Sequence, residues 1–256
     1  MIDKGERPKV LVIAGYDQSG GAGVLADIKT LEAHGVYGYA VCTAMTFQNE
    51  REITRVDWLP ETAIFEQIDL CFATGGFDWV KMGITASMES AASIIRHVRQ
   101  HNREARVVLD PVIKASSGAQ FWDGGEAWEE VAAGCYLVTP NWEEIGWLYP
   151  GAKVEERCRE LSKRGTHVFL KGGHRSDHPG RDELWSGGEV EILAAGDRVV
   201  YPKHGSGCVL ASSLTANLAL GYSLPVAAAR AKRYTADFLT SNKTLLGWHH
   251  WTGCIS

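Results

Sequence analysis

What the sequence lacks excludes several function classes. Its six cysteines (Cys42, Cys71, Cys135, Cys158, Cys208 and Cys254) include no C-x-x-C pair, the spacing on which zinc ribbons and thioredoxin-type redox sites are built. Lys and Arg form no basic block, and the formal net charge is −5. Binding to nucleic acid needs a dense basic footprint, so that class is set aside. No apolar run approaches the ~20 residues of a membrane span. The G-x-S-x-G of serine hydrolases is missing, and so is the H-E-x-x-H of zinc proteases. His97 and His101 have the right spacing for a helical pair, but they read HVRQH with Arg96, Arg99 and Arg103 around them. That pattern reads as a solvated basic face. The polar start, MIDKGERPKV, has no signal-peptide core, so a cytoplasmic chain with reduced thiols is expected.

What is present describes an ordinary globular chain of 256 residues, 45% hydrophobic and 22% charged. Without a linker, repeat or low-complexity tract, a single domain over residues 1–256 is expected. Short apolar runs alternate with helical patterns. Strands are predicted at Val10–Ala14, Tyr37–Thr46, Trp79–Met82, Val107–Leu109, Tyr136–Val138 and His167–Leu170. Helices are predicted at Val24–His34, Glu61–Thr74, Ser87–His101, Glu126–Ala133, Asn141–Leu148 and Glu155–Arg164. This alternation predicts an α/β fold with a mostly parallel sheet and helices on both faces. After residue 181, DELWSG and EVEILAA predict a hairpin around Gly187–Gly188, followed by helices at Ser206–Leu220 and Pro225–Leu239. The tail LLGWHHWTGCIS fits no element.

In such a sheet, ligands bind beyond the carboxyl ends of the strands. Two glycine-rich segments compete there for a phosphate. AGYDQSGGAG, residues 14–23, joins a strand to a helix, but it is neither a Walker A sequence nor G-x-G-x-x-G. HGSGC, residues 204–208, opens a helix whose unpaired amides and positive dipole end suit an anion. Two readings stand for it: an anion hole, or small residues that allow tight packing. Cys208 falls in the first turn, where a thiol pKa tends to be lowered. It reads as a base, as a contact to a substrate hydroxyl, or as a small buried apolar residue. In TPNWEE, Asn141 and Glu144 have the spacing of a capping box.

Taken together, the loops IAGYDQSGGAGVLADIKT, TFQNE, KMG, VLDPV, TPNWEE, KGGH and HGSGC appear in an order that resembles the hydroxymethylpyrimidine/phosphomethylpyrimidine kinases of thiamine biosynthesis, in the ribokinase superfamily. The resemblance implies a ribokinase-like three-layer α/β/α fold. It implies ATP and Mg²⁺ as cofactors, an aminopyrimidine alcohol and its monophosphate as acceptors, and a homodimer. It moves the phosphate role to Gly205, Ser206, Gly207 and Cys208, with Cys208 at the acceptor hydroxyl. Gly15, Asp27 and Gln48 then fall where the family contacts the ring, and Met82 and Val112 where it packs apolar groups on it. Asn141 and Glu144 match the N-x-x-E that supports Mg²⁺, Asp110 reaches the same metal, and Lys171 lies by the nucleotide phosphates. Tyr16 and Gln18 depart from the family pattern, in the acceptor loop. Two alternatives share these features: a pyridoxine or pyridoxal kinase of the same fold, and a pyrimidine-binding protein without turnover. His249–His250 reads as part of a packed tail, and Trp122, Trp128, Trp142 and Trp147 as packing residues.

Overall fold

A computed structural model describes residues 7–114, 120–122, 127–173, 175 and 178–252. The elements run β1 (Lys9–Asp17), α1 (Gly23–Ala33), β2 (Tyr37–Gln48), β3 (Ile53–Trp58), α2 (Glu61–Phe72), β4 (Trp79–Met82), α3 (Met88–His101), β5 (Arg106–Leu109), α4 (Trp128–Ala133), β6 (Leu137–Val138), α5 (Trp142–Leu148), α6 (Val154–Lys163), β7 (His167–Leu170), β8 (Asp182–Ser186), β9 (Glu189–Leu193), α7 (Ser206–Ala219) and α8 (Leu224–Thr240).

The uninterrupted apolar run of β1 has a direct cause. Leu11 and Ile13 face one core cluster, while Val10, Val12 and Ala14 face another. A strand buried on both sides has no polar face to alternate with. The first cluster takes residues from α2, α3, α4, α5 and α6; the second takes them from α1, α7 and α8. Helices therefore cover both faces of the sheet, and the fold is the three-layer, ribokinase-like α/β/α arrangement. Among the described residues the sheet order is β3-β2-β1-β4-β5-β6-β7-β8-β9. The run from β2 to β7 is parallel; β3 pairs antiparallel with β2, β8 with β7, and β9 with β8. Chain order reverses between β1 and β4, which creates a switch point of the kind where ligands bind in open α/β sheets.

The expected elements are found, two strands with both ends as expected and the others with shifts of at most three residues; residue 126, the expected start of α4, lies outside the described residues. The hairpin turns on Gly187 and Gly188, at φ 60° and 89°, the left-handed pair that a two-residue turn matching strand twist requires. The strand β3 was not expected. ITRVDW carries Arg55 and Asp57, and among the described residues it pairs with β2 alone. An edge strand with exposed faces needs no apolar alternation. The tail takes a defined path. Thr252 N–H donates to the Ala33 carbonyl and His204 N–H to the Leu245 carbonyl, at 2.7 and 2.9 Å, so the tail ties α1 to the segment leading into α7. Cys254 lies outside the described residues.

Candidate active site

The parallel ladder runs past the last residue of each strand and aligns the residues that follow. Gly83 N–H donates to Ile13, Asp110 to Met82, Thr139 to Leu109 and Lys171 to Pro140, each at 2.8–2.9 Å. These residues therefore stand along one edge of the sheet, at the carboxyl ends of β4 to β7.

Three charged side chains converge there. Lys171 Nζ donates to Asp110 Oδ1 at 2.8 Å and lies 3.6 Å from Glu144 Oε2. The Thr139 hydroxyl also donates to Asp110 Oδ1, at 3.2 Å. Burial opposes the charge on Lys171, but the carboxylates of Asp110 and Glu144 outweigh it and hold the ammonium above its ordinary pKa. Burial pushes Glu144 up to about 7; Lys171 opposes that push and Asp110 adds to it. The capping box is present. Glu144 N–H donates to Asn141 Oδ1 at 2.8 Å, and Asn141 N–H to Glu144 Oε2 at 2.7 Å. The box leaves Glu144 Oε1 free of the cap and fixes the carboxylate beside Lys171.

The HGSGC segment faces this cluster. Gly205 caps α7 with φ 72°, and a Cβ there would stand 2.0 Å from the Gly21 carbonyl oxygen. A Cβ on Gly207 would lie 3.2 Å from Asp110 Oδ2 and 3.4 Å from Lys171 Nζ. The start of α7 is thus in reach of both the carboxylate and the ammonium, with tight space at Gly207. Gly205→Ala is expected to destabilise the chain by about 1–3 kcal/mol, the range for a non-glycine residue held in a left-handed conformation. Urea unfolding measures it, and an unchanged midpoint would contradict the close approach to Gly21.

Cys208 sits half-buried at the same end of α7. The expectation of a lowered thiol pKa fails. Burial pushes it up to about 11; Lys81 opposes this, Asp27 and Asp110 add to it, and a hydrogen bond from the Gly23 backbone offsets part. Desolvation of a thiolate exceeds what one helix end supplies.

The ring-contacting residues are placed unevenly. Gly15 is buried in β1, where a Cβ would meet Ile84 Cδ1 at 2.5 Å. Gln48, half-buried, stands past the last pairing of β2 with β1, Asp17 with Thr46. Val112 is half-buried after β5. Asp27 is 0% exposed, and each of its carboxylate oxygens already accepts a hydrogen bond: Oδ2 from Lys81 at 2.7 Å and Oδ1 from Ser212 at 2.7 Å. Met82, 1% exposed, belongs to the core cluster of α2 and α3. Neither Asp27 nor Met82 offers surface to a ligand in this state. Of the two departures, Gln18 is exposed and Tyr16 is half-buried against the α1/α7/α8 core. A groove of about 410 Å³ lined by Tyr136, His167, Leu184, Glu191 and Pro225 contains none of these residues.

The sequence model of the family described as phosphomethylpyrimidine kinase matches residues 17–252. The chain belongs to the phosphomethylpyrimidine kinase family. It is therefore a kinase, a phosphotransferase, and the family implies use of ATP. A thiamine biosynthesis bifunctional protein of Geobacter sulfurreducens is 38% identical over 247 residues, 89% of this chain and 48% of that relative. The chain thus spans about half the length of that protein. The crystal structure of phosphomethylpyrimidine kinase from Clostridium difficile superposes with a TM-score of 0.76 at 31% identity, covering 90% of this chain and 99% of that one. A pyridoxal kinase from Staphylococcus aureus, solved with AMP-PCP and pyridoxal, gives 0.79 at 28% identity, covering 91% and 88%.

Two features of this phosphomethylpyrimidine kinase family member escaped sequence reasoning. The first is Asp17, whose carboxylate folds the opening loop. Oδ1 accepts from Ser19 N–H and Oδ2 from Ala22 N–H and the Ser19 hydroxyl, all at 2.9 Å. His204 Nε2 lies 2.9 Å from the same Oδ2. Burial works against this carboxylate, but the bonds from His204, Ser19 and Ala22 hold its pKa below the ordinary value. The loop at residues 14–23 and HGSGC are thereby clasped together. The second is Lys81, fully buried on the α1/α7 side of β4. A lysine inside an apolar strand run was a legible signal that a buried partner exists.

Proposed function

We propose that the chain transfers the γ-phosphoryl group of ATP to the hydroxymethyl group of 4-amino-5-hydroxymethyl-2-methylpyrimidine, and then to the resulting monophosphate, in thiamine biosynthesis. One observation carries this reading: the start of α7 lies against Asp110 and Lys171, with Cys208 one residue on. Phosphoryl transfer is catalysed mainly by positioning and by positive potential at the equatorial oxygens. The amides of Gly205, Ser206, Gly207 and Cys208, with the Lys171 ammonium, would supply that potential. Carboxylates and water suit Mg²⁺, and the buried pair Asp110 and Glu144 fits such an ion, with Asn141 fixing Glu144. Bound there, Mg²⁺ would neutralise phosphate charge.

On the acceptor side, Gly15, Gln48 and Val112 would surround the ring. A Gln amide offers both donor and acceptor to an aminopyrimidine. Asp27 and Met82 would act from beneath, Asp27 by fixing Lys81 near Cys208. Gln48→Ala is expected to raise the acceptor KM about tenfold, the loss of one good hydrogen bond, with the KM for ATP unchanged. Equal effects on both substrates would contradict the assignment. The function itself is tested by coupled ADP release with the pyrimidine alcohol, its monophosphate and pyridoxal. Turnover of the first two at higher kcat/KM than pyridoxal is the expected result. A preference for pyridoxal would identify a pyridoxal kinase, and binding without ADP release would indicate a protein that only sequesters the pyrimidine.

A further inference from the structure

The histidine pair set aside as a basic face is arranged otherwise in the folded chain. Arg96 pairs with Glu130, and Arg99 donates to the Gly134 carbonyl at 3.0 Å. Both arginines turn towards α4 and its end, while His97 and His101 turn towards α2. There both Nε2 atoms lie 2.7 Å from one atom, Oδ1 of Asp69. The three side chains each bring a ligand atom within 4.8 Å of the others. Residues four apart share a helix face, so the pair is set by α3, and the third group comes from a different helix.

The imidazoles are held in place before any ligand arrives. Phe65 stacks on His97 at 4.2 Å and 12°, and Phe72 stacks on His101 at 4.8 Å and 9°. Both phenylalanines pack on the core cluster. Such support fixes ring orientation as partners of metal-binding histidines do elsewhere. His101 is the last residue of α3, where the helix dipole favours a cation.

We propose that Asp69, His97 and His101 form a binding site for a divalent transition-metal ion of the zinc type, clipping α2 to α3. Imidazole with carboxylate suits Zn²⁺, Ni²⁺ or Cu²⁺, whereas Mg²⁺ prefers oxygen donors. Donors at 2.0–2.2 Å around a tetrahedral ion stand about 3.3 Å apart. The present 2.7 Å spacings therefore ask Asp69 to withdraw by roughly half an ångström, and its side chain, 52% exposed, has the room. The side chains of Asp69 and His101, 52% and 30% exposed, leave the cluster accessible to solvent. This site lies at the far end of α3 from Ser87, the cap that follows β4 into the kinase site, so it is separate from Mg²⁺ and ATP.

The test uses the full chain, stripped with EDTA and titrated with Zn²⁺ alone against a chromophoric chelator. Wild type is compared with Asp69→Ala and with His97→Gln/His101→Gln. Weak sites elsewhere contribute equally to all three proteins. Wild type is expected to hold one more equivalent of zinc, and to lose at least about 10–100-fold in affinity for it in either variant, as even outer-shell losses do. Zinc should raise the thermal midpoint of wild type alone, because only it gains a tight native-state ligand. Kinase turnover of Asp69→Ala should match wild type. Equal zinc stoichiometry and affinity in wild type and Asp69→Ala, or no binding by wild type, would leave the cluster as a hydrogen-bonded trio and overturn the proposal. Because Asp69 is exposed, its variant decides the matter even if the histidine variant fails to fold.

Discussion

Lys81→Met is expected to destabilise the chain by about 3–5 kcal/mol, the loss found when one partner of a buried ion pair is removed. Lys81 and Asp27 are both fully buried, 2.7 Å apart, and Asp27 keeps only the Ser212 hydroxyl when the ammonium is gone. Burial opposes the charge on Lys81, yet Asp27, with Cys208 and Asp110, holds its pKa above the ordinary value. A raised lysine pKa stabilises fully below the unfolded value of about 10.4 and is lost only as pH rises through the folded value. The Lys81 ammonium is therefore charged across neutral pH, while burial pushes the Asp27 carboxyl up against the pull of Lys81 and Ser212. In Lys81→Met the stranded Asp27 carboxylate gains by taking a proton, so the deficit should shrink as pH falls from about 7 towards 5. Lys81→Met/Asp27→Leu should recover much of the loss, because the penalty belongs to the unpaired charge. Urea unfolding at both pH values measures this. A loss below about 1 kcal/mol, as for an exposed pair, would refute the account.

Cys208→Ala is expected to lower kcat roughly 100-fold, the scale of a misplaced reacting group, while ATP affinity stays near wild type. With its thiol pushed up to about 11 by burial, Cys208 would meet the acceptor hydroxyl as a neutral thiol, and on the proposed reading its part is to orient that hydroxyl. A loose phosphoryl-transfer transition state asks little of a base before bond breaking, so orientation would suffice on this reading. Cys208→Ser, which keeps a small donor and acceptor, should retain more activity than Cys208→Ala. Single-turnover kinetics with both acceptors measure the effect. An unchanged kcat in the alanine variant would reduce Cys208 to packing. An inflection in kcat near pH 7 that vanishes in Cys208→Ser would assign it the role of base instead.

Legibility followed the range over which each feature is decided. VLVIA could be read as a doubly buried strand, and WSGGEV as a hairpin, because periodicity and turn chemistry are encoded within a few residues. The capping box of Asn141 and Glu144 is equally local, and it is present. ITRVDW was not legible as β3, because an edge strand exposed on its faces carries no apolar rhythm. Asp27 was legible as important, but its partner was not: Lys81 lies 54 residues away, on the far side of two strands and a helix. His97 and His101 read as a basic face because Asp69 is 28 and 32 residues distant and belongs to another helix.

By itself, then, the sequence determined the strand and helix alternation, the placing of chemistry at the strand ends and, through its ordered loops, the family. Tertiary structure alone decided the charge states and pairings within the site. It set Lys171 between Asp110 and Glu144, buried Lys81 against Asp27, and raised the Cys208 thiol where a helix N-terminus taken alone would lower it. The physical reason is one of range. Backbone preference acts between neighbours in sequence, whereas desolvation and Coulomb interactions depend on neighbours in space. In a parallel sheet those neighbours are brought together by crossovers tens of residues long.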